Sequence, residues 1–255
     1  EVIWQIGPIG ITNSMILGFV GYGILVSSLL YTAYVVSRGR RRNRLVQIIV
    51  WVYESLYNTV SQIVGDPKQA RALAPLPISL FFFIIIQYWT GILPFVGPIT
   101  FDGVPLFRSL AADLNTTFAL AIITMVAAQF YAVKVHGLSG NTARYFRNPL
   151  KDPAGAFEGI LELIAEFSRL VGLSFRLFGN VFAGEVLLVM IAFLTQYVAV
   201  FALPPFYIFE LFIGSIQAYI FFMLTTVFIS LGLAHHGPDH STAHSPESKL
   251  TESVT

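Results

Sequence analysis

Residues 14–44 read SMILGFVGYGILVSSLLYTAYVVSRGRRRNR, and the order of chemistry in that stretch decides the fold class. From Ser14 to Val36 there is no Asp, Glu, Lys or Arg, and the run exceeds the roughly 20 apolar residues that cross about 30 Å of hydrocarbon. It then meets Arg38, Arg40, Arg41, Arg42 and Arg44. Arginines gathered at one end of an apolar span mark its cytoplasmic side, which places the N-terminus outside. The rest of the chain is of the same kind: 55% of its 255 residues are hydrophobic and 11% are charged, with a mean hydropathy of +0.71. That is too little charge to cover a soluble globule of this length. The expected class is an all-α polytopic membrane protein with about five spanning helices plus an interfacial helix, the last two spans long and tilted.

Working outward, residues 1–13 read as an external segment, 14–234 as a single membrane domain and 235–255 as a polar tail. Apolar helices are expected at about 14–36, 45–64, 75–95, 114–135, 157–199 and 203–234. In 45–64, Leu45, Ile49, Val52, Leu56, Val60 and Ile63 recur at helical spacing, with Glu54, Asn58 and Gln62 on another side. This reads as a helix lying along the cytoplasmic surface, with a spanning helix as the alternative. The Gly- and Pro-rich segment from Gly97 to Ala112, which carries Asp102 and Arg108, reads as an external loop. A second basic group, Lys134, His136, Arg144, Arg147 and Lys151, falls on the predicted cytoplasmic side and agrees with the first. The run after Phe157 is too long for one perpendicular span and must be tilted or broken.

A formal net charge of +1 with no general basic surface argues against nucleic acid. There is no cysteine, hence no disulfide framework and no thiolate-bound metal. His235, His236, His240 and His244 sit in the polar tail, where such residues often have no role, so no metal or cofactor is expected. No Gly-rich phosphate loop or hydrolase-like nucleophile motif is legible, so any nucleotide chemistry belongs to a partner.

The informative residues are charges inside apolar runs. Arg176 lies in Val171–Phe178, otherwise apolar apart from Ser174, and an arginine at a helix centre costs roughly 2.5–3.5 kcal/mol on insertion scales. It is either a snorkelling or salt-bridged structural residue, or a fixed charge in an ion path. At 100° per residue, Arg169, Glu162 and Asn180 fall within about 40° of Arg176, and Glu166 about 80° away. Glu185 lies about 180° round and about 13 Å further along. Glu210 and Gln217 are seven residues apart on the final run and share a face within about 20°. If Glu185 and Glu210 approach each other, burial and like-charge repulsion would make that pair a proton relay. Carboxylate-bearing paths on either side of an arginine describe a route open to protons from both sides but blocked in the middle.

The runs FRLFGNVFAGE (175–185) and IQAYIFFMLTTVFIS (216–230), with ADLNTT (112–117) and the order of the apolar runs, closely resemble the a subunit of F-type ATP synthases over nearly the whole chain. The resemblance implies a translocating subunit with no catalytic activity of its own, whose partners are a ring of c subunits, b-type peripheral stalk subunits, the rest of the synthase and membrane lipid. It implies that Arg176 keeps a passing c-subunit carboxylate ionised and blocks leakage between two offset half-channels. Asn180 and Gln217 match polar positions near that arginine. Glu185 and Glu210 match the pair of the external half-channel, Glu162 a carboxylate on the cytoplasmic exit side, and Asp113 with Asn115 the polar outer mouth. Members commonly carry one carboxylate and one histidine where this chain has Glu185 and Glu210, and often Asn where it has Gln87. A bacterial plasma membrane is expected, with the N-terminus outside and the C-terminus cytoplasmic; the mitochondrial inner membrane is the alternative. The rival functions are a stand-alone secondary transporter whose Arg176 binds an anionic substrate, against which stands the lack of an internal repeat, and an accessory subunit with structural charges.

Overall fold

The computed structural model describes residues 2–6, 9–39, 43–93, 100–101, 104–105, 108–145 and 153–234. Arg40, Arg41 and Arg42, Asp102, Arg147, Lys151 and the histidine-bearing tail lie outside the described residues.

Two short strands, β1 (Val2–Ile6) and β2 (Ile9–Thr12), pair antiparallel ahead of α1 (Asn13–Ser37). Next comes α2 (Arg44–Val64), which stops at Gly65; its φ of 76° is one that glycine tolerates, and its N–H returns to Ser61 O. Asp66 opens α3 (Pro67–Leu73) by accepting the Lys68 N–H at 2.9 Å, with Pro67 at the first helical position, where its missing N–H costs nothing. α4 (Pro75–Gly91) follows almost without a break. A second small hairpin, β3 (Thr100–Phe101) with β4 (Val104–Pro105), and a 3-10 turn at Leu110–Ala112 lead to α5 (Leu114–Tyr145), which departs from helical geometry at Gly137. α6 (Pro153–Thr195) and α7 (Ala199–Ala234) are joined by a 3-10 turn, Gln196–Val198, where Gln196 has a left-handed φ of 41°.

Among the described residues, four continuous helical stretches are long and apolar enough to cross a membrane: Asn13–Ser37, Pro67–Gly91, Leu114–Lys134 and Phe157–Leu233. The last holds both α6 and α7, which double back on each other. Gly184 meets Glu210, Asn180 meets Gln217 and Arg169 meets Phe228, a register that only antiparallel helices give. α5 runs antiparallel to α6 in the same way, through Thr117 with Ser174 and Gln129 with Glu166. At 43 and 36 residues, α6 and α7 are about 65 and 54 Å long, well beyond a hydrocarbon layer of about 30 Å, so each must tilt or project from it. The architecture is all-α and polytopic, with α2 outside the set of spanning stretches.

The core gathers Leu56 and Val60 of α2, Ala70 of α3, Ile78, Phe81 and Ile84 of α4, Ala121 of α5, Leu173 and Leu177 of α6, and Ala218, Phe221 and Phe222 of α7. The opposite face of α2 leaves Leu45, Ile48 and Trp51 exposed. Phe193, Tyr197 and Phe201 near the α6–α7 turn are 72%, 95% and 82% exposed. In water such a surface would aggregate; in lipid, where tails are as apolar as leucine, it costs little, and helices are held instead by close packing and interhelical hydrogen bonds. The buried hydroxyls fit that regime. Thr124 and Thr226 return their protons to carbonyls four residues back, and Ser174 bonds Thr117 across helices at 3.2 Å.

Candidate functional site

The two glutamates expected on facing helices are brought to one junction, at the end of the bundle that holds the N-termini of α1 and α5. Glu210 is only 3% exposed, and its Oε1 accepts a hydrogen bond from Tyr88 Oη of α4 at 2.5 Å. Two glycines make the room. A Cβ built at Gly184 of α6 would collide with the Glu210 carboxyl group, and one at Gly214 of α7 would collide with the Tyr88 ring. The carboxyl therefore lies against the α6 backbone, and the tyrosine ring against that of α7.

Glu185, the residue after Gly184, is half-buried at the same level. The Arg108 guanidinium and the backbone N–H of Ser109 act on it from the segment before α5, and the charges of both Glu185 and Glu210 act on the Tyr88 hydroxyl. Tyr88 and Arg108 had no role in the sequence reading. The only local hint was a polar pair, Gln87–Tyr88, interrupting a run of Phe and Ile. Gln87 ties α4 to α1 by donating from Nε2 to Gly18 O at 2.9 Å, while its Oε1 is buried beside Gly21 without a partner among the described residues.

One helical turn along α6, Asn180 Nδ2 donates to Gln217 Oε1 at 2.6 Å, so these two residues are also brought together. Gln217 is 1% exposed and its Nε2 has no partner among the described residues. Arg176 is placed differently. Leu173, Ser174 and Leu177 turn into the bundle, but Arg176 is exposed and makes no hydrogen bond or ion pair among the described residues. Among the described residues, then, no salt bridge holds this arginine in its apolar helix.

Towards the other end of α6, Glu162 is half-buried. Glu166 accepts from Gln129, whose Nε2 lies 2.8 and 2.9 Å from its two oxygens. The Arg169 guanidinium sits 5.4 Å over the ring of Phe228, and its Nε donates to Ala165 O. Asp113 and Asn115 lie at the start of α5: Asp113 Oδ1 accepts the Asn115 N–H at 3.0 Å, the contact of a helix N-cap, and Oδ2 accepts Ser14 Oγ of α1 at 3.4 Å. The Asn115 side chain is exposed. No group of three or more His, Cys, Asp or Glu that could hold a metal occurs among the described residues.

The family model described as ATP synthase A chain matches residues 15–230. A protein named ATP synthase subunit a from Desulforamulus reducens is 32% identical over 194 residues, covering 74% of this chain and 67% of that protein. One of the same name from Aliivibrio salmonicida is 33% identical over 175 residues, covering 66% of this chain and 64% of its own length. Another from Buchnera aphidicola is 28% identical over 202 residues, covering 76% and 73%.

Proposed function

This chain belongs to the ATP synthase A chain family, and on that premise we propose that it is the proton-translocating subunit of a rotary ATP synthase, offering two offset half-channels to a ring of c subunits. The position of Arg176 carries the reading. A permanent cation on the outside of a bundle, at an apolar level and with no carboxylate partner among the described residues, is costly unless a counter-charge comes from a neighbour. A ring of carboxylates turning past this face supplies one at every step.

The two paths are built at opposite ends of α6. Glu162 and Glu185 are about 35 Å apart along the helix, close to the thickness of the hydrocarbon, and Arg176 lies between them, about 13 Å from the level of Glu185. A proton enters from outside past Asp113 and Asn115, is handed through Glu210 and Glu185 to a ring carboxyl, rides the ring, and leaves past Glu162. Neutral carboxyls enter lipid cheaply while ionised ones favour Arg176, so the ring carboxyl changes charge as it passes. Asn180 and Gln217, bonded to each other one turn from Arg176, keep that level polar without adding charge. A membrane potential biases the direction by about 2.3 kcal/mol per charge per 100 mV.

The subunit makes no covalent bond; it turns an electrochemical gradient into torque, and its partners are the c ring, b-type stalk subunits and the remainder of the synthase. The membrane is a bacterial plasma membrane, with the N-terminus outside and the C-terminus cytoplasmic, as the basic groups after α1 and at the end of α5 indicate.

The deciding experiment is ATP-driven proton pumping by inverted membrane vesicles carrying wild type or Arg176→Ala, with assembly and ATP hydrolysis followed in parallel. Loss of pumping in an assembled complex is expected. Normal pumping without the arginine would remove the central step.

A further inference from the structure

We propose that Tyr88 is a positioning residue for Glu210, fixing its carboxyl against the α6 backbone beside Glu185. The inference rests on the proposed outer path and adds to it a residue from a third helix. A glutamate side chain has three rotatable bonds, and in a wide aqueous vestibule it would sample many orientations. Here three features restrict it. Tyr88 Oη donates to Oε1 at 2.5 Å, the missing Cβ of Gly184 opens the notch in which the carboxyl lies, and the missing Cβ of Gly214 lets the tyrosine ring reach far enough to donate. Tyr88 itself is 1% exposed, so the ring has no room to swing away.

Electrostatics narrows the role. The groups facing this hydroxyl are Glu210 on α7 and Glu185 on α6, with Arg108 acting on Glu185 from the segment before α5; α1 brings no titratable group to it. Next to two carboxyls, a phenol can only donate its proton when either is ionised, and it does so to Glu210. A hydrogen bond to a charged acceptor is stronger than one to a neutral acceptor, so Tyr88 changes how readily Glu210 takes and releases a proton as well as where it points. A phenylalanine in the same place would fill the Gly214 notch equally well and do neither.

The test uses membrane vesicles carrying the whole complex, with ATP-driven pumping measured as a function of pH for wild type, Tyr88→Phe and Glu210→Gln, and with ATP hydrolysis as the assembly control. For Tyr88→Phe a loss of about tenfold in pumping rate is expected, matching one charge-assisted hydrogen bond, together with a displaced pH profile. A purely structural tyrosine would lower the amount of complex and leave the profile in place, which overturns the proposal. Replacing Tyr88 by 3-fluorotyrosine keeps ring and hydroxyl and alters only the donor strength, so it decides the matter if Tyr88→Phe fails to assemble: a displaced profile supports the role and an unchanged one overturns it. Glu210→Gln separates the two levels of the argument. If it pumps like wild type, the outer path through Glu210 is wrong; if it is impaired while both tyrosine variants behave like wild type, the path stands and the role of Tyr88 does not.

Discussion

Replacing Gly184 by alanine adds one methyl group to α6, and the geometry says where it goes: into the Glu210 carboxyl. Two responses are open. Either α6 and α7 move apart to admit the methyl, at the cost of overpacking, typically about 1–3 kcal/mol, or Glu210 swings out of the notch and gives up the Tyr88 hydrogen bond, about 1.5–3 kcal/mol for a charged partner. The helices are tied by the Asn180–Gln217 bond one turn away and by Leu177 against Ala218 and Phe221 in the core, so separation would disturb several contacts at once. Displacing a single side chain disturbs one. The expected outcome is therefore an assembled complex with displaced Glu210, and ATP-driven pumping about tenfold or more below wild type, since 1.4 kcal/mol is a factor of ten. Gly23→Ala is the matched control. That glycine has open space where the Cβ would be, so the change should stabilise α1 by about 0.5–1 kcal/mol through helix propensity and leave pumping intact. Wild-type pumping in Gly184→Ala would mean that Glu210 has no need of its notch, and the local reasoning would fail.

Asn180→Ala removes the only hydrogen bond shown to Gln217 and leaves a buried amide without partners, which should cost about 1–3 kcal/mol of stability; thermal inactivation of the purified complex reads it, and an unchanged midpoint would mean that the bond has little weight. At the start of α5, Asp113→Ala should lose about 1 kcal/mol as a missing N-cap, whereas Asp113→Asn keeps an acceptor for the Asn115 N–H and should hold that stability. A large drop in pumping for Asp113→Asn at wild-type stability would show that the charge of this residue matters beyond the cap, while equal pumping would confine it to capping.

The bundle class was legible because spanning helices write themselves as long charge-free runs, and the two basic groups flank α1 and α5 consistently. The joint between α6 and α7 was less so: an apolar stretch from Phe157 to Leu233 gives little punctuation, and Pro204 and Pro205 lie inside α7 rather than before it, so the chain turns several residues earlier, at Gln196–Val198. Within the candidate site, periodicity could put Glu210 and Gln217 on one face and suggest that it meets the preceding helix, but not name the third helix that completes the junction. Tyr88 was invisible for the same reason. Its hydroxyl bonds a residue 122 positions away, and no local pattern encodes a contact of that separation. The glycines that permit the contact are silent too, because an absent side chain becomes informative only when the neighbour that fills its space is known.

The two kinds of charge within the apolar helices of this bundle are handled in opposite ways, and the difference bears on function. Glu210 is provided for by its own chain: a donor from α4, a notch in α6, and a level shared with Glu185 and Arg108. Among the described residues no carboxylate is within ion-pair reach of Arg176: Glu166, ten residues back on α6 and about 15 Å along the helix, accepts from Gln129. Arg176 is left outward and, among the described residues, unpaired, at a cost of roughly 2.5–3.5 kcal/mol for an arginine at a helix centre in lipid. A partner that satisfied the arginine permanently would make it a structural anchor. In the proposed mechanism the partner satisfies it only briefly, and a succession of carboxylates must arrive and leave. For that, the arginine has to be reachable from outside the bundle and free of internal competitors, while the carboxyls that pass protons have to be held still. The arrangement of Arg176 and of the Tyr88–Glu210 pair meets both requirements, and it is the contrast between them, more than either alone, that favours a rotating partner over a fixed one.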